Sequence, residues 1–362
     1  MSTDVVHTAF DAPQRELGGE FMDWEGWLWP NHFGDPVAEH RAVREGVGVW
    51  DESPLRKWDF RGRDALRAAD RIFTNDMLGL EPGQIRYAPF CDANGKMVGD
   101  GTVFKFDDEH AWVITALDSD LDHFTDVAGD LHVDIEAITP DLPHVQLQGP
   151  RSRDLLAGLA GDAAALGYFR FLPEQVRVGG VPAWVSRTGY SGELGYEIFC
   201  SRDDAPALWA ALTGAGAVPY GLAAVETLRI ESGLIFIGYD YFQHETDPFD
   251  VSLDKVVRLD TGDFNGKEAL AETAGSPRRR MITLVLEGGA VPEYGAAVSQ
   301  DGEPAGTLTS PSESPTLGKV IGLAVLETRF AEPGTRLEVD GGGPATVEPL
   351  PIYDPEKRRP RA

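Results

Sequence analysis

The chain has 362 residues, with 59 Asp and Glu against 32 Lys and Arg, and a formal net charge of −27. Such an acidic surface repels phosphate backbones and anionic lipids, so we expect neither nucleic-acid nor membrane partners. The length exceeds what one hydrophobic core normally serves, which predicts two or three domains. Two cysteines are too few for a disulfide framework, and the histidines show no metal-ligand spacing, so no metal site is predicted.

The N-terminal region, residues 1–20, is polar and lacks periodicity, which predicts an extended arm. It also lacks the basic and apolar segments of a signal peptide, so we expect a cytoplasmic location. Only 7 of the basic residues are Lys. A Lys-poor, acidic composition favours a halophilic source over the alternative, a GC-rich genome that encodes Arg in place of Lys.

The next elements follow from periodicity and turn residues. Three tryptophans, Trp24, Trp27 and Trp29, either pack as a lid or form an aromatic wall for a cationic methyl donor, and we favour packing. Short helices are predicted over 40–46 and, after an Asp64 cap, to about residue 73. Three strand-like runs over 85–114, the first two joined by an Asn-Gly turn, predict a β-meander.

Further helices are predicted over 152–159, 205–212 and 222–231, and the last of these contains Arg229. Beyond residue 280 the chain changes to short strands divided by Gly, Pro and Ser turns. This pattern predicts an all-β barrel over 281–352, followed by a basic tail over 354–362.

The most informative run extends from Arg187 to Ile198 and reads R-T-G-Y-S-G-E-L-G-Y-E-I. Its three glycines allow a ligand to approach the backbone closely, and two Glu and two Tyr lie among them. Carboxylates and phenols on such a loop suit a flat heterocycle that bears several N–H groups. Phosphate suits it poorly, because the only basic residue is Arg187 at the edge.

This run resembles the signature of the glycine-cleavage T-protein family, which comprises tetrahydrofolate-dependent aminomethyltransferases and related demethylases. Five other segments resemble motifs of that family in the same order along the chain. They are residues 40–51, 74–87, 228–234, 264–267 and 309–317. The resemblance therefore covers nearly the whole chain.

The resemblance implies an α+β, three-domain fold with two mixed α+β domains and a C-terminal all-β barrel. We expect residues 1–50 and 140–280 to form a folate-binding domain, and residues 51–139 to form a domain that carries the catalytic Asp. Residues 281–362 would form the barrel and tail. The expected oligomeric state is a monomer or a homodimer.

The resemblance also names site residues. Asp100 falls on the Asp that the family uses in catalysis, although Lys96 and Gly99 depart from the family pattern around it. A carboxylate near folate N5 can hold the amine, accept a proton or stabilise positive charge. Glu197 is expected to accept from the N–H edge of the pterin, and Arg229 to donate to its carbonyl. The structural alternative for Arg229 is a pair with Glu226 or Glu231.

Four further residues are candidates for folate binding. Tyr87 and Tyr190 would stack against the folate or hydrogen-bond to it, or they would be ordinary buried tyrosines. Glu193 would bind the ligand or only brace the turn. Thr115 lies where the family lines its pocket.

The resemblance implies an enzyme with tetrahydrofolate as the acceptor of a one-carbon unit. We favour the demethylase branch, which takes a methyl group from a small donor, because four segments resemble it. They are residues 91–95, 116–120, 238–249 and 350–354. The alternative is an aminomethyltransferase that acts on a lipoyl carrier protein, and a non-catalytic folate-binding scaffold is a third reading.

Overall fold

The structure is a computed structural model that describes residues 5–362, so Met1–Asp4 of the predicted arm lie outside the described residues. The α-helices are α1 (Asp11–Glu16), α2 (Pro36–Glu45), α3 (Ala65–Ile72), α4 (Asp120–Ala128), α5 (Ser152–Ala160), α6 (Ala205–Gly214), α7 (Leu222–Glu231) and α8 (Lys267–Thr273). The first ten strands are β1 (Val6–His7), β2 (Glu20–Trp24), β3 (Trp27–His32), β4 (Gly48–Asp51), β5 (Arg56–Arg61), β6 (Ile85–Cys91), β7 (Met97–Lys105), β8 (His110–Thr115), β9 (Asp134–Ala137) and β10 (His144–Gln148). The others are β11 (Val176–Val178), β12 (Val181–Ser186), β13 (Gly195–Cys200), β14 (Val218–Pro219), β15 (Arg279–Leu286), β16 (Ala296–Gln300), β17 (Glu303–Ser314), β18 (Lys319–Glu327), β19 (Arg336–Val339) and β20 (Gly343–Glu348). No helix in the described range is long and apolar enough to cross a membrane.

Two sheets, one mixed and one antiparallel, and one barrel contain most of these strands. The first sheet has the order β11-β12-β13-β10-β4-β14, and we call it the Glu197 sheet. The second has the order β6-β7-β8-β5-β9, and we call it the Asp100 sheet; its first three strands form the predicted meander. The last six strands close a barrel in the order β15-β18-β17-β16-β19-β20. The predicted α+β fold with a C-terminal barrel is confirmed.

The N-terminal region is not the extended arm that its polar sequence predicts. It contains α1, and the ring of Phe10, just before that helix, is fully buried 5.8 Å from the ring of Trp209. Gln14 is also buried and donates a hydrogen bond of 2.8 Å to Asp51. Six helical residues are too few to show periodicity, so this anchor could not be predicted from the sequence.

Two helix starts differ in detail from the prediction. Helix α2 begins four residues earlier than expected, because Asp35 accepts a hydrogen bond of 3.0 Å from Val37 N–H and Pro36 suits the first helical position. Asp64 precedes α3 but does not cap it. Its carboxylate instead accepts from the backbone N–H of His132 at 3.1 Å.

The tryptophans near the N-terminus pack, as predicted. The ring of Trp29 stacks on that of Trp50 with centroids 5.0 Å apart, and Trp24 lies 4.9 Å from Trp29. Together with Val43 and Tyr220 they build a small core between α2 and α7.

Two segments after α7 fold back on the sheets. The backbone of Met97 in β7 donates to Thr246 O and accepts from His244 N–H, both at 2.8 Å. The segment 354–362 is not a free tail, because Arg187 donates to the backbone oxygens of Pro360 at 2.8 Å and Ala362 at 2.9 Å. We call residues 187–194, between β12 and β13, the signature loop. Strand β7 and this loop are therefore each covered by a distant part of the chain.

Candidate active site

The side chains on one face of the Asp100 sheet follow from its register. Asp100 and Thr102 are two residues apart in β7 and share this face. Thr102 pairs with Tyr87 in β6 and with Ile114 in β8, and Ile114 pairs with Lys57 in β5. Paired residues point to the same side of a sheet, so Tyr87 and Lys57 lie on the face that carries Asp100.

The Glu197 sheet presents a matching face. Glu197 in β13 pairs with Gln146 in β10 and with Ser186 in β12. Phe199, two residues further along β13, points to the same side.

These two faces lie against each other. Aromatic rings join them at one end, where Phe104 lies 5.8 Å from Phe199 and Trp112 lies 5.1 Å from Trp184. Glu197 precedes Phe199 by two residues on β13, and Asp100 precedes Phe104 by four residues on β7. We call these four aromatic residues the aromatic floor, and we call the region beside them, between the polar residues of the two faces, the recess.

Asp100 is held by two phenols within this recess. Its Oδ1 accepts a hydrogen bond from the hydroxyl of Tyr241, and Tyr87 is a second donor. Burial raises the pKa of Asp100 above its usual range, and the two hydrogen bonds offset part of that rise. Burial raises the pKa of both phenols well above the usual value, so they remain donors at neutral pH.

The signature loop folds onto the glutamines of β10. The backbone N–H of Tyr190 donates to Gln146 Oε1 at 3.0 Å, and Ser191 Oγ donates to Gln148 Oε1 at 2.7 Å. A Cβ at Gly189 or Gly195 would lie 2.2 Å from the amide of Gln148, so only glycine fits there. The side chain of Tyr190 packs against the small core that contains Trp29 and Leu228, and its hydroxyl donates to the carbonyl of Ile235.

Glu197 lies at the other end of the recess. It is partly buried, and it accepts hydrogen bonds from the hydroxyls of Ser186, at 3.3 Å, and Thr188. Burial raises the pKa of Glu197 to about 7, and the two hydroxyls and the charge of Lys57 act against that rise.

Arg229 is 0 % exposed and its N–H groups are fully engaged. Its Nε and Nη2 donate to the carboxylate of Glu226, and its Nη1 donates to Asp240 and, at 3.3 Å, to the carbonyl of Leu234. Nη2 also donates to Ser310 Oγ at 2.8 Å. A ligand would reach this guanidinium only by displacing one of these partners.

Glu193 acts as a brace for the loop in this structure. Its carboxylate is buried and accepts from Arg44 at 3.1 Å, from the hydroxyl of Tyr353 at 2.6 Å and from Arg359 at 3.3 Å. These partners come from α2 and from the segment after the barrel. The loop is thus bonded to two parts of the chain that are distant in sequence.

Thr115 lies on the other face of the Asp100 sheet, since it follows Ile114 directly. Its hydroxyl accepts from Trp58 Nε1 at 2.9 Å and also bonds to the carboxyl of Asp120. Asp120 is 1 % exposed, and burial together with the charge of Asp100 raises its pKa to about 7.

Sequence reasoning missed several residues of this region, namely Tyr241, Asp120, Gln146, Lys57 and Glu52. One signal could have revealed Gln146: it lies in the middle of a strand whose neighbours are apolar, where a polar side chain needs a buried partner. Nothing local marks Tyr241, because its partner Asp100 is far away in sequence.

Comparison with known proteins agrees with this architecture. Residues 10–261 match the model of the GCVT N-terminal domain, and residues 279–354 match the glycine cleavage T-protein C-terminal barrel domain. The chain is 37% identical to an aminomethyltransferase of Rubrobacter xylanophilus, over 96% of this chain and 94% of that protein. It is also 37% identical to a trimethylamine-oxide aldolase of Ruegeria pomeroyi, over 94% of this chain but only 46% of that protein.

A solved structure shows the same fold. The glycine cleavage system aminomethyltransferase T of Bartonella henselae superposes with a TM-score of 0.88 at 23% identity, and the match covers 97% of this chain and 98% of that one. The matched residues of the two family models together include both of the large sheets and the barrel. The chain belongs to the glycine cleavage T-protein family and is an enzyme that transfers one-carbon groups.

Proposed function

We propose that this enzyme is a tetrahydrofolate-dependent aminomethyltransferase that acts on an aminomethyl group carried by the lipoyl arm of a carrier protein. The observation that carries the proposal is the pair of carboxyl groups, Glu197 and Asp100, on the facing sides of the two sheets, with the signature loop bonded to the strand beside Glu197. The relative from Rubrobacter xylanophilus, which bears the aminomethyltransferase name and aligns over nearly its full length, supports it.

The residues of the recess fit a pterin. A pterin edge offers N–H donors, and Glu197 offers a carboxylate whose described partners are two hydroxyls. The one basic residue of the signature loop, Arg187, points away and donates to the carbonyls of Leu166, Pro360 and Ala362. The loop therefore suits a neutral heterocycle and not a phosphate.

The residues have separate tasks in this proposal. Tetrahydrofolate, when bound, supplies the N5 amine that accepts the one-carbon unit. Glu197 orients the pterin through its N–H edge, and Tyr190 and Tyr87 form walls for the ring system. Arg229 supports the wall by holding Glu226 and Asp240, and it can offer an N–H to a ligand carbonyl if the 3.3 Å bond to Leu234 is released.

Asp100 is the proposed catalytic group. Its carboxylate, oriented by the hydroxyls of Tyr241 and Tyr87, would accept a proton from the reacting amine or stabilise positive charge that develops there. Exclusion of water by the aromatic floor strengthens that interaction.

The demethylase reading, which the sequence favoured, is the second candidate. Among the relatives described above, the trimethylamine-oxide aldolase carries a methylated-amine name, and this chain matches less than half of it. The aminomethyl reading has better support, because the aminomethyltransferase relative aligns over nearly its full length.

One experiment separates the two readings. The purified enzyme is incubated anaerobically with tetrahydrofolate and either an aminomethylated lipoyl carrier protein or a panel of small S-, N- and O-methyl compounds. Mass spectrometry of the folates then distinguishes 5,10-methylene- from 5-methyltetrahydrofolate. We expect the methylene product from the carrier, formed far more slowly with Asp100→Asn; a methyl product from a small donor alone would establish the demethylase instead.

A further inference from the structure

Lys57 is a buried lysine that the proposed mechanism does not use. It lies on β5 with its side chain on the face that meets the Glu197 sheet, and it is 0 % exposed. Its Nζ donates to the carbonyl of Ser53 at 2.8 Å. An ammonium group has three donors and is costly to bury without an opposite charge. A buried carboxylate is therefore expected nearby.

Two carboxyl groups face Lys57 across the gap between the sheets. Glu52 Oε2 accepts from His144 Nε2 at 3.0 Å and from Gln146 Nε2 at 2.5 Å. Gln146 pairs directly with Glu197 on the neighbouring strand, so Glu52 and Glu197 flank one amide. His144 and Tyr220 also face this cluster, whereas Asp51 and Arg56 lie on the opposite faces of their sheets and act on Lys57 through their charge.

The charges in the cluster depend on one another. Burial lowers the pKa of Lys57 to about 7, and the nearby carboxylates, Glu197 among them, oppose this fall. Burial raises the pKa of Glu52 well above its usual range, and the charge of Glu197 adds to the rise. The charge of Lys57 therefore acts on both Glu52 and Glu197, and it favours the ionised form of Glu197.

We propose that Lys57 is a positioning residue for the folate site, because its ammonium stabilises the Glu197 carboxylate from the facing sheet and keeps it an acceptor for the pterin N–H edge. The ligand in this statement rests on the proposed function. The coupling between Lys57 and Glu197 does not, and it can be measured in the unliganded enzyme.

The first test measures folate affinity against pH. Calorimetry from pH 5.5 to 8.5 compares the wild type with Lys57→Met, which keeps the length of the side chain but not its charge. Lys319→Met, on the exposed surface of the barrel, is the matched control for loss of one positive charge. We expect Lys57→Met to move the acid-side midpoint of binding up by about one pH unit, which weakens binding roughly tenfold below that midpoint. The control should not move it, and a folded Lys57→Met with the wild-type midpoint would overturn the proposal.

The second test needs neither folate nor a Lys57 variant. The chain has only seven lysines, so 15N-lysine labelling gives few side-chain signals, and burial lowers the pKa of Lys57 to about 7. We expect Glu197→Gln to lower the pKa of Lys57 by about one unit, whereas the surface change Glu174→Gln leaves it in place. An unchanged Lys57 titration in Glu197→Gln would overturn the coupling. A wild type that binds no folate but shows the coupling would refute the proposed function alone.

Discussion

The hydroxyl of Tyr241 donates a hydrogen bond to the carboxylate of Asp100, although the two residues are 141 positions apart in the sequence. Asp100 lies on β7, and Tyr241 lies in the segment that leads from α7 to the barrel. The proposed catalytic carboxylate therefore gets its orientation from a different part of the chain.

The first prediction concerns that carboxylate. Asp100→Asn should keep the fold and most folate binding but lower turnover by about 10²–10³-fold, because a fixed charge near the reacting amine acts mainly in the transition state. Steady-state kinetics with the carrier substrate would measure this. The exposed change Asp141→Asn is the control, and near wild-type turnover by Asp100→Asn would leave Asp100 with a structural role only.

The second prediction concerns Tyr241. Its hydrogen bond favours the ionised form of Asp100, so Tyr241→Phe should raise the pKa of that carboxyl further. If the carboxylate is the active form, the acid limb of the pH–rate profile should move to higher pH by roughly half a unit to one unit. Tyr239→Phe, a nearby tyrosine that is 44% exposed, should leave the limb in place. If the acid limbs of Tyr241→Phe and the wild type coincide, the hydrogen bond from Tyr241 does not control the ionisation of Asp100.

The third prediction concerns Arg229. Removing this guanidinium would leave the fully buried Asp240 without its cation, and breaking a buried pair in this way costs about 3–5 kcal/mol. Arg229→Ala should therefore unfold at much lower urea concentration than the wild type, whereas the surface change Arg202→Ala should not. A stable Arg229→Ala would contradict the structural role assigned to the Arg229–Asp240 pair.

The fourth prediction concerns pH and Glu231. Despite its burial, hydrogen bonding from His40 and the charges of Arg44 and His40 hold the pKa of Glu231 at about 2, below the ordinary 4.5. A depressed pKa contributes stability that is present above the unfolded value and is lost as pH falls toward the folded value. For Glu231 this contribution to the free energy of unfolding is roughly 3 kcal/mol at pH 7.

Denaturation at pH 7, 5 and 3 would check this. Glu231→Gln should be less stable at pH 7 and should lose less stability than the wild type between pH 5 and 3. The exposed change Glu268→Gln is the control. Parallel loss of stability in Glu231→Gln and the wild type would show that other carboxyl groups govern acid unfolding.

The fifth prediction concerns salt. With a net charge of −27, repulsion across the surface should oppose folding at low ionic strength. The Debye length falls from about 30 Å at 0.01 M to about 3 Å at 1 M, so the melting temperature should rise steeply with KCl. Repeating the series with an uncharged osmolyte separates screening from exclusion of the solute. If the melting temperature does not change with KCl, the acidic surface reflects sequence composition and is not an adaptation to salt.

The sequence was a good guide where a local motif carries the function. The glycine-rich loop, the strand pair that flanks it and the helix of Arg229 all lie where the pattern predicts them. Gly189 and Gly195 have a physical reason to be glycine, since the amide of Gln148 occupies the space of a side chain.

The sequence failed where a contact depends on how distant elements meet. In β5, Lys57 and Asp59 alternate with apolar Trp58 and Phe60, which is the pattern of a strand with one wet face. Only the packing of the Glu197 sheet on that face turns Lys57 into a buried charge. Likewise, the partners of Arg229 include Ser310 of the barrel, which no periodicity within α7 could indicate.

The hydrogen bonds between Met97 and the backbone of His244 and Thr246 have an evolutionary consequence. They hold the segment that carries Tyr241 against the strand that carries Asp100 through main-chain atoms, which every amino acid other than proline supplies. Side chains on this segment can then be exchanged without separating the phenol from the carboxylate. A lineage could in this way change the side chains around Asp100, and with them the one-carbon donor, while it keeps the contact between Tyr241 and Asp100.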